Sequence, residues 1–193
     1  TGRYLKRIKR FFFKRDLQKR DYLRKTARVK LTFTLSLLLG AVSPPLIPIW
    51  IGLANVFCTP FFEAAKIIIR KKAAKLFRKY GKNTKVIAVA GSFGKTTVKN
   101  YIYELIKYNY KTQMTPGNIN TPTGIAEWIL EEYNPASEIL IVEVDTYRPG
   151  EIKKSLAVTP PDISILTNIG DQHLERFKNK SELKKSLLEV FKY

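Results

Sequence analysis

The chain has one cysteine, one histidine and one methionine in 193 residues, and only 16 acidic side chains stand against 35 Lys and Arg. Each scarcity removes a possibility. A lone Cys58 cannot form an intrachain disulfide, so nothing in the composition reports an oxidising compartment. The shortage of acid leaves a net charge of +19, which by itself points to nucleic acid. The distribution of that charge points elsewhere. Residues 1–30 carry 13 basic side chains against two acids, residues 63–85 carry nine against one, and residues 86–193 balance at 13 of each. The excess therefore belongs to two arms that flank something else, and nucleic acid is not expected as a partner.

What lies between the arms lacks charge altogether. Residues 31–62 hold no Asp, Glu, Lys or Arg. A spanning helix needs about 20 apolar residues, so this 32-residue run is long for one helix and short for two. Pro44, Pro45 and Pro48 interrupt it, and basic residues on both sides favour the cytoplasmic face. The expected arrangement is a hairpin or re-entrant pair of short helices that enters and leaves by the same face, its basic flanks drawn to anionic lipid headgroups. A single kinked spanning helix is the alternative. The apolar run starts too late and is too long for a cleavable signal peptide. Tyr4, Ile8, Phe11 and Phe12 recur at helical spacing among Lys and Arg, the pattern of an interfacial amphipathic arm. The organisation expected is a basic amphipathic arm (1–30), an apolar membrane segment (31–62), a basic helical linker (63–85) and a nucleotide-binding domain (86–193), membrane-associated with that domain in the cytoplasm.

From residue 86 the texture changes to alternating strand and helix signals. Residues 86–90, 139–144 and 163–167 read as buried strands. Residues 95–108 read as a helix with Val98, Ile102, Leu105 and Ile106 on one face. Thr121-Pro122 reads as an N-cap with proline in the first turn, opening a helix through Trp128 and Ile129 to Tyr133. Strands alternating with helices predict an α/β fold whose parallel sheet, of the P-loop type, is flanked by helices and preceded by the helical membrane-associated segment. In such sheets ligands sit beyond the carboxyl ends of the strands.

The polar residues with chemical potential fall there. Gly91-Ser92-Phe93-Gly94-Lys95-Thr96-Thr97 follows the first strand and opens the helix, so backbone amides and the helix N-terminus can face an anion. Lys95 adds a point charge for phosphates, and the Thr96 hydroxyl can ligate Mg2+. The strict G-x-x-x-x-G-K-[ST] pattern is not met, because Val89 stands at its first glycine. A metal-bound nucleotide also needs a carboxylate on a neighbouring strand, and Glu143 and Asp145 are candidates at a strand end. Asp145 reads as a solvated loop acid. His173, at the carboxyl edge of the same sheet, reads as a ligand.

These stretches together resemble the Mur ligases, and most closely those that add D-alanyl-D-alanine to a UDP-muramoyl tripeptide. The resemblance rests on Gly91-Ser-Phe-Gly-Lys-Thr-Thr97, on Thr115-Pro-Gly-Asn-Ile-Asn120, on Glu143 followed by Gly150-Glu-Ile152, and on Thr167-Asn-Ile169 with His173-Leu-Glu175. It implies an ATP-dependent amide ligase that works through an acyl phosphate in cell-wall precursor synthesis. The cofactors would be ATP and Mg2+, and the acceptor a UDP-muramoyl peptide or lipid-linked precursor. By the same resemblance Lys95 would neutralise the transferring phosphoryl group, Thr96 and Glu143 would hold one Mg2+, and Glu143 with His173 a second. Asn118, Asn120 and Asn168 would contact substrate or nucleotide. For Asn118 and Asn120 the alternative is a turn held by their own side chains.

The pattern departs from the family in two places. Asp145 stands where the family has the glycine of its E-x-G segment, and Leu187 stands where it carries a carbamylated lysine. The matched region also reaches only part of the family's central domain. A membrane-bound nucleotide-binding module without ligase activity is therefore the competing expectation.

Overall fold

The computed structural model describes residues 30–32, 34–38, 47–117 and 119–192. The expected amphipathic arm up to residue 29, the prolines at 44 and 45, and Asn118 lie outside them. The chain divides into two compact units, residues 1–64 and 65–193.

In the first unit, residues 30–32 and 34–38 are helical, and a second helix, α1 (Ile47–Tyr80), begins. Pro48 falls in the first turn of α1, where a missing N–H costs nothing, and Pro60 lies inside it. Ile49, Leu53, Val56, Phe57 and Phe61 are exposed, while Ala54 and the free thiol of Cys58 are buried. By length and composition the stretch Pro48–Tyr80 could cross a membrane, with a mean hydropathy of 1.3 in its most apolar window. The apolar and basic residues on either side of position 62 thus belong to one helix.

In the second unit, strands β1 (Lys85–Ala90), β2 (Thr112–Met114), β3 (Ile139–Glu143) and β4 (Ile163–Leu166) form a parallel sheet in the order β2-β3-β1-β4. Helices α2 (Lys95–Ile106), α3 (Pro122–Glu132), α4 (Glu151–Leu156) and α5 (Lys180–Leu187) connect and cover it. Short 3-10 turns follow at Leu174–Arg176 and Leu188–Phe191.

Period-two alternation divides the sheet into faces. Val86, Ala88 and Ala90 of β1, with Leu140 and Val142 of β3, join Phe77 of α1, Ile125 and Ile129 of α3, Ile152 of α4 and Leu187 of α5 in one buried core. The intervening residues Val89, Ile141 and Glu143 are also buried, and α2 packs on β1, β2 and β3. A strand buried on both sides must be apolar throughout, which is why β1 and β3 read as unbroken hydrophobic runs.

Capping follows the predicted chemistry in α3. The Thr121 hydroxyl accepts from the Gly124 amide at 3.2 Å, and Pro122 occupies the first turn. One expected face needs correction. Val98, Ile102 and Ile106 are half-buried along α2, but Leu105 is 76% exposed. The buried stripe is centred on Lys95, Lys99 and Ile102, and Leu105 lies roughly a quarter-turn from it at about 100° per residue.

The order of the strands places the site. From β1 the chain moves outward through α2 to β2, then returns to β3. From β3 it crosses through α4 to β4 on the far side of β1. The direction of winding changes between β1 and β3, whose carboxyl ends lie side by side with Val89 opposite Glu143.

Candidate functional site

The loop after β1 turns on glycines that the geometry requires. Gly91 has φ 140°, and a Cβ there would lie 2.0 Å from Thr167 Oγ1. Gly94, at φ 78°, caps α2 in the left-handed conformation. The loop is braced from the end of β4. The Ser92 amide donates to Asn168 O at 3.1 Å, the Phe93 amide to Asn168 Oδ1 at 2.9 Å, and the Thr167 hydroxyl to Phe93 O at 2.6 Å. The Gly170 amide donates to Ser92 Oγ at 2.9 Å.

This bracing narrows the expected cradle. The Ser92 and Phe93 amides already have partners, and the amides of Gly94, Lys95, Thr96 and Thr97 have no acceptor among the described residues. Four successive donors at a helix start are what an anion requires. Asn168, read from the sequence as a substrate contact, is placed as the brace of this loop.

Lys95 is buried, and its ammonium approaches four oxygens: Gly91 O at 2.7 Å, Asp145 Oδ2 at 3.2 Å, and Ser92 O and Gln172 Oε1 at 3.3 Å. Asp145 is itself 4% exposed. The expectation of a solvated acid fails because the residue lies just past β3, where the sheet edge and the Gly91 loop enclose it. The Asp145 N–H donates to Asn120 O at 3.0 Å, and Oδ1 accepts from the Thr146 amide at 2.9 Å.

Glu143, the last residue of β3, is buried. Its Oε2 accepts from the Thr96 hydroxyl at 2.9 Å and faces Lys99 Nζ at 3.0 Å, while Oε1 accepts from Asn120 Nδ2 at 3.3 Å. Lys99 also donates to Gly117 O at 2.8 Å. Thr96 and Glu143, paired in the sequence analysis, are thus brought together, while Asn120, expected there as a substrate or nucleotide contact, bonds to Glu143.

His173 is brought to Asp145 instead. Its Nε2 lies 3.8 Å from Asp145 Oδ2 and has no hydrogen-bond partner among the described residues, nor does any hydrogen bond or ion pair join it to Glu143 there. Its backbone is left-handed at φ 61°, and its ring lies 4.3 Å from that of Tyr147. Burial, and then the charge of Asp145, pushes the Tyr147 phenol above its ordinary range.

Glu151 takes a structural place. Its carboxylate accepts from the Tyr147 and Arg148 amides at 2.8 and 3.2 Å, while Glu189 accepts from the Gly150 and Lys153 amides at 2.9 and 3.2 Å. Leu187 lines the same crevice as Gly91, Asp145, Gln172 and His173.

Lys99 and Gln172 escaped the sequence reading. Lys99 carried a usable signal: it sits one helical turn after Lys95, on the stripe of α2 that also holds Val98 and Ile102, where an unpaired ammonium would be costly.

A family model described as the Mur ligase middle domain matches residues 89–193. The UDP-N-acetylmuramoyl-tripeptide--D-alanyl-D-alanine ligase of Bacillus subtilis (strain 168) is 32% identical over 107 residues, which are 55% of this chain and 23% of that protein. The protein of the same name from Borreliella burgdorferi is 39% identical over 95 residues, 49% of this chain and 20% of its own length. The structure of MurF ligase from Thermotoga maritima in complex with ADP superposes with a TM-score of 0.61 at 34% identity, covering 65% of this chain and 29% of that one. MurF from Acinetobacter baumannii gives 0.63 at 25% identity, covering 66% and 28%. The chain thus spans about a quarter of the length of the relatives it matches.

Proposed function

The chain belongs to the Mur ligase family, whose middle domain accounts for residues 89–193, and from that premise we propose that its site is the nucleotide-binding part of an ATP-dependent amide ligase. The substrate class that fits is a UDP-muramoyl peptide, with D-alanyl-D-alanine as the incoming amine. The single observation that carries the reading is the meeting of the Gly91 loop and Lys95 with the Thr96–Glu143 pair, 2.9 Å apart, at the carboxyl ends of β1 and β3.

In this reaction an acceptor carboxylate oxygen bonds to the γ-phosphorus of ATP as the bond to ADP breaks. The amine then bonds to the acyl carbon and phosphate leaves. Carboxylate and triphosphate repel each other, so fixed cations and amide donors must offset that repulsion before they can meet. In this reading Lys95 and the Gly94–Thr97 amides bind and orient the phosphates. The Thr96 hydroxyl and the Glu143 carboxylate, 2.9 Å apart, are hard oxygen donors of the kind Mg2+ takes, and they would hold it. When bound, the metal supplies charge neutralisation on the triphosphate. Asn120 keeps Glu143 oriented.

The test is calorimetric titration of the full chain with ADP and Mg2+. Lys95→Ala should weaken binding about a hundredfold, the loss of a charge-assisted contact to phosphate. Unchanged affinity would remove the reading. Phosphate release on addition of ATP, Mg2+ and a UDP-muramoyl tripeptide with D-alanyl-D-alanine separates a ligase from a binding module.

Membrane attachment is part of the same proposal. It is supported by the exposed apolar side chains of α1 and by the basic residues from Lys66 to Lys79 that follow them in the same helix. The nucleotide site would then work at the cytoplasmic surface, near lipid-linked intermediates and anionic headgroups. The full chain should sediment with vesicles rich in anionic phospholipid. Equal recovery in the supernatant with and without vesicles would sink the tether and leave the nucleotide reading intact.

A further inference from the structure

We propose that Asp145 determines specificity in the nucleotide site. It is the resident counter-ion of Lys95, and it makes the site accept metal-complexed nucleotide in preference to the free anion. The proposal rests on the nucleotide-site reading above.

A lysine ammonium has three protons. Here four oxygens surround it, and three of them, Gly91 O, Ser92 O and Gln172 Oε1, already match its donors. The Asp145 carboxylate at 3.2 Å is therefore surplus as a hydrogen-bond acceptor. What it adds is charge.

That charge is fixed in place. Oδ1 is held by the Thr146 amide, and the backbone N–H by Asn120 O. The carboxylate cannot swing aside without breaking its bond to the Thr146 amide in a buried setting. Free nucleotide approaching Lys95 brings further negative charge to within contact of a fixed anion, and where water is excluded that repulsion is large.

Nucleotide carrying a divalent cation meets the opposite field. Asp145 then becomes an oxygen donor facing a cation, with the unpartnered His173 Nε2 beside it. A loop lysine surrounded only by neutral carbonyls would not distinguish the two forms; this one does.

The experiment measures ADP affinity of the full chain by calorimetry, with Mg2+ and with EDTA, in wild type and in Asp145→Asn. Asparagine keeps the size and the acceptor for the Thr146 amide. Wild type should bind at least about a hundredfold more weakly in EDTA, and the variant should narrow that ratio to about tenfold or less, chiefly by tightening metal-free binding. A ratio that stays at the wild-type value, or affinity lost equally in both conditions, would overturn the proposal. Circular dichroism checks folding, and Asp145→Gly supplies the same removal of charge if the asparagine variant does not fold. Wild type that binds no nucleotide even with Mg2+ brings down the site reading and this proposal together. Wild type that binds while the ratio stays unmoved brings down this proposal alone.

Discussion

The two ends of the sheet carry the same chemistry in opposite surroundings. At the amino end, Lys85 pairs with Asp162 at 2.7 Å, with side-chain exposures of 72% and 36%. At the carboxyl end, Lys99 pairs with Glu143 at 3.0 Å and Lys95 with Asp145 at 3.2 Å, with exposures of 1% and 2%, and of 7% and 5%. The exposed bond is the shortest of the three, yet water screens it and it contributes little. The buried pairs hold charges that each depend on the other, because desolvation has removed water as an alternative partner. An ordinary fold gains nothing by burying two ammonium groups and two carboxylates within a few residues of each other. A site that must receive a polyanion and a cation does.

Breaking a buried pair should have the largest effect. Glu143→Gln leaves Lys99 enclosed with only Gly117 O and an amide for partners, and should cost about 3–5 kcal/mol in chemical denaturation. The double variant Lys99→Met, Glu143→Leu tests the same claim from the other side. With both charges gone it should recover most of that loss, and a double variant as unstable as the single one would show that the pair stabilises in its own right.

The exposed pair should respond weakly. Asp162→Asn should cost less than about 1 kcal/mol, since both partners remain hydrated. The Lys85 ammonium, partly opposed by burial and aided by the Val86 amide, holds the Asp162 carboxyl below its ordinary value of 3.8. A depressed folded-state pKa stabilises above the unfolded value, and that contribution is lost as pH falls through the folded one. The wild-type advantage over Asp162→Asn should therefore be present at neutral pH and fade below about pH 4, read from denaturation midpoints. A difference independent of pH would show that the ionised carboxylate is not the source of the stabilisation.

Where the governing interaction was local, the sequence was a good guide. The Thr121-Pro122 cap, the apolar runs of β1 and β3 and the left-handed Gly94 that opens α2 all act within a few residues, and the structure has them at those positions. Where the partner lies far along the chain, local reading failed. Asp145 carries no nearby mark of burial, since what encloses it is Lys95, fifty residues earlier, and the turn around His173. Asn168 reads as a substrate contact until the fold sets it against Ser92 and Phe93. Leu105 misled for a different reason: at the margin of a helical stripe, spacing alone does not say where the stripe is centred.

The absence of a side chain at Gly91 lets Thr167 come so close that its hydroxyl bonds to Phe93 O and ties the turns after β1 and β4 to each other. Whatever arrives at the four open amides meets donors whose directions are already set, so little backbone entropy remains to be lost on capture. Recognition by this loop should then be decided almost entirely by the sign and spacing of the visitor's charges.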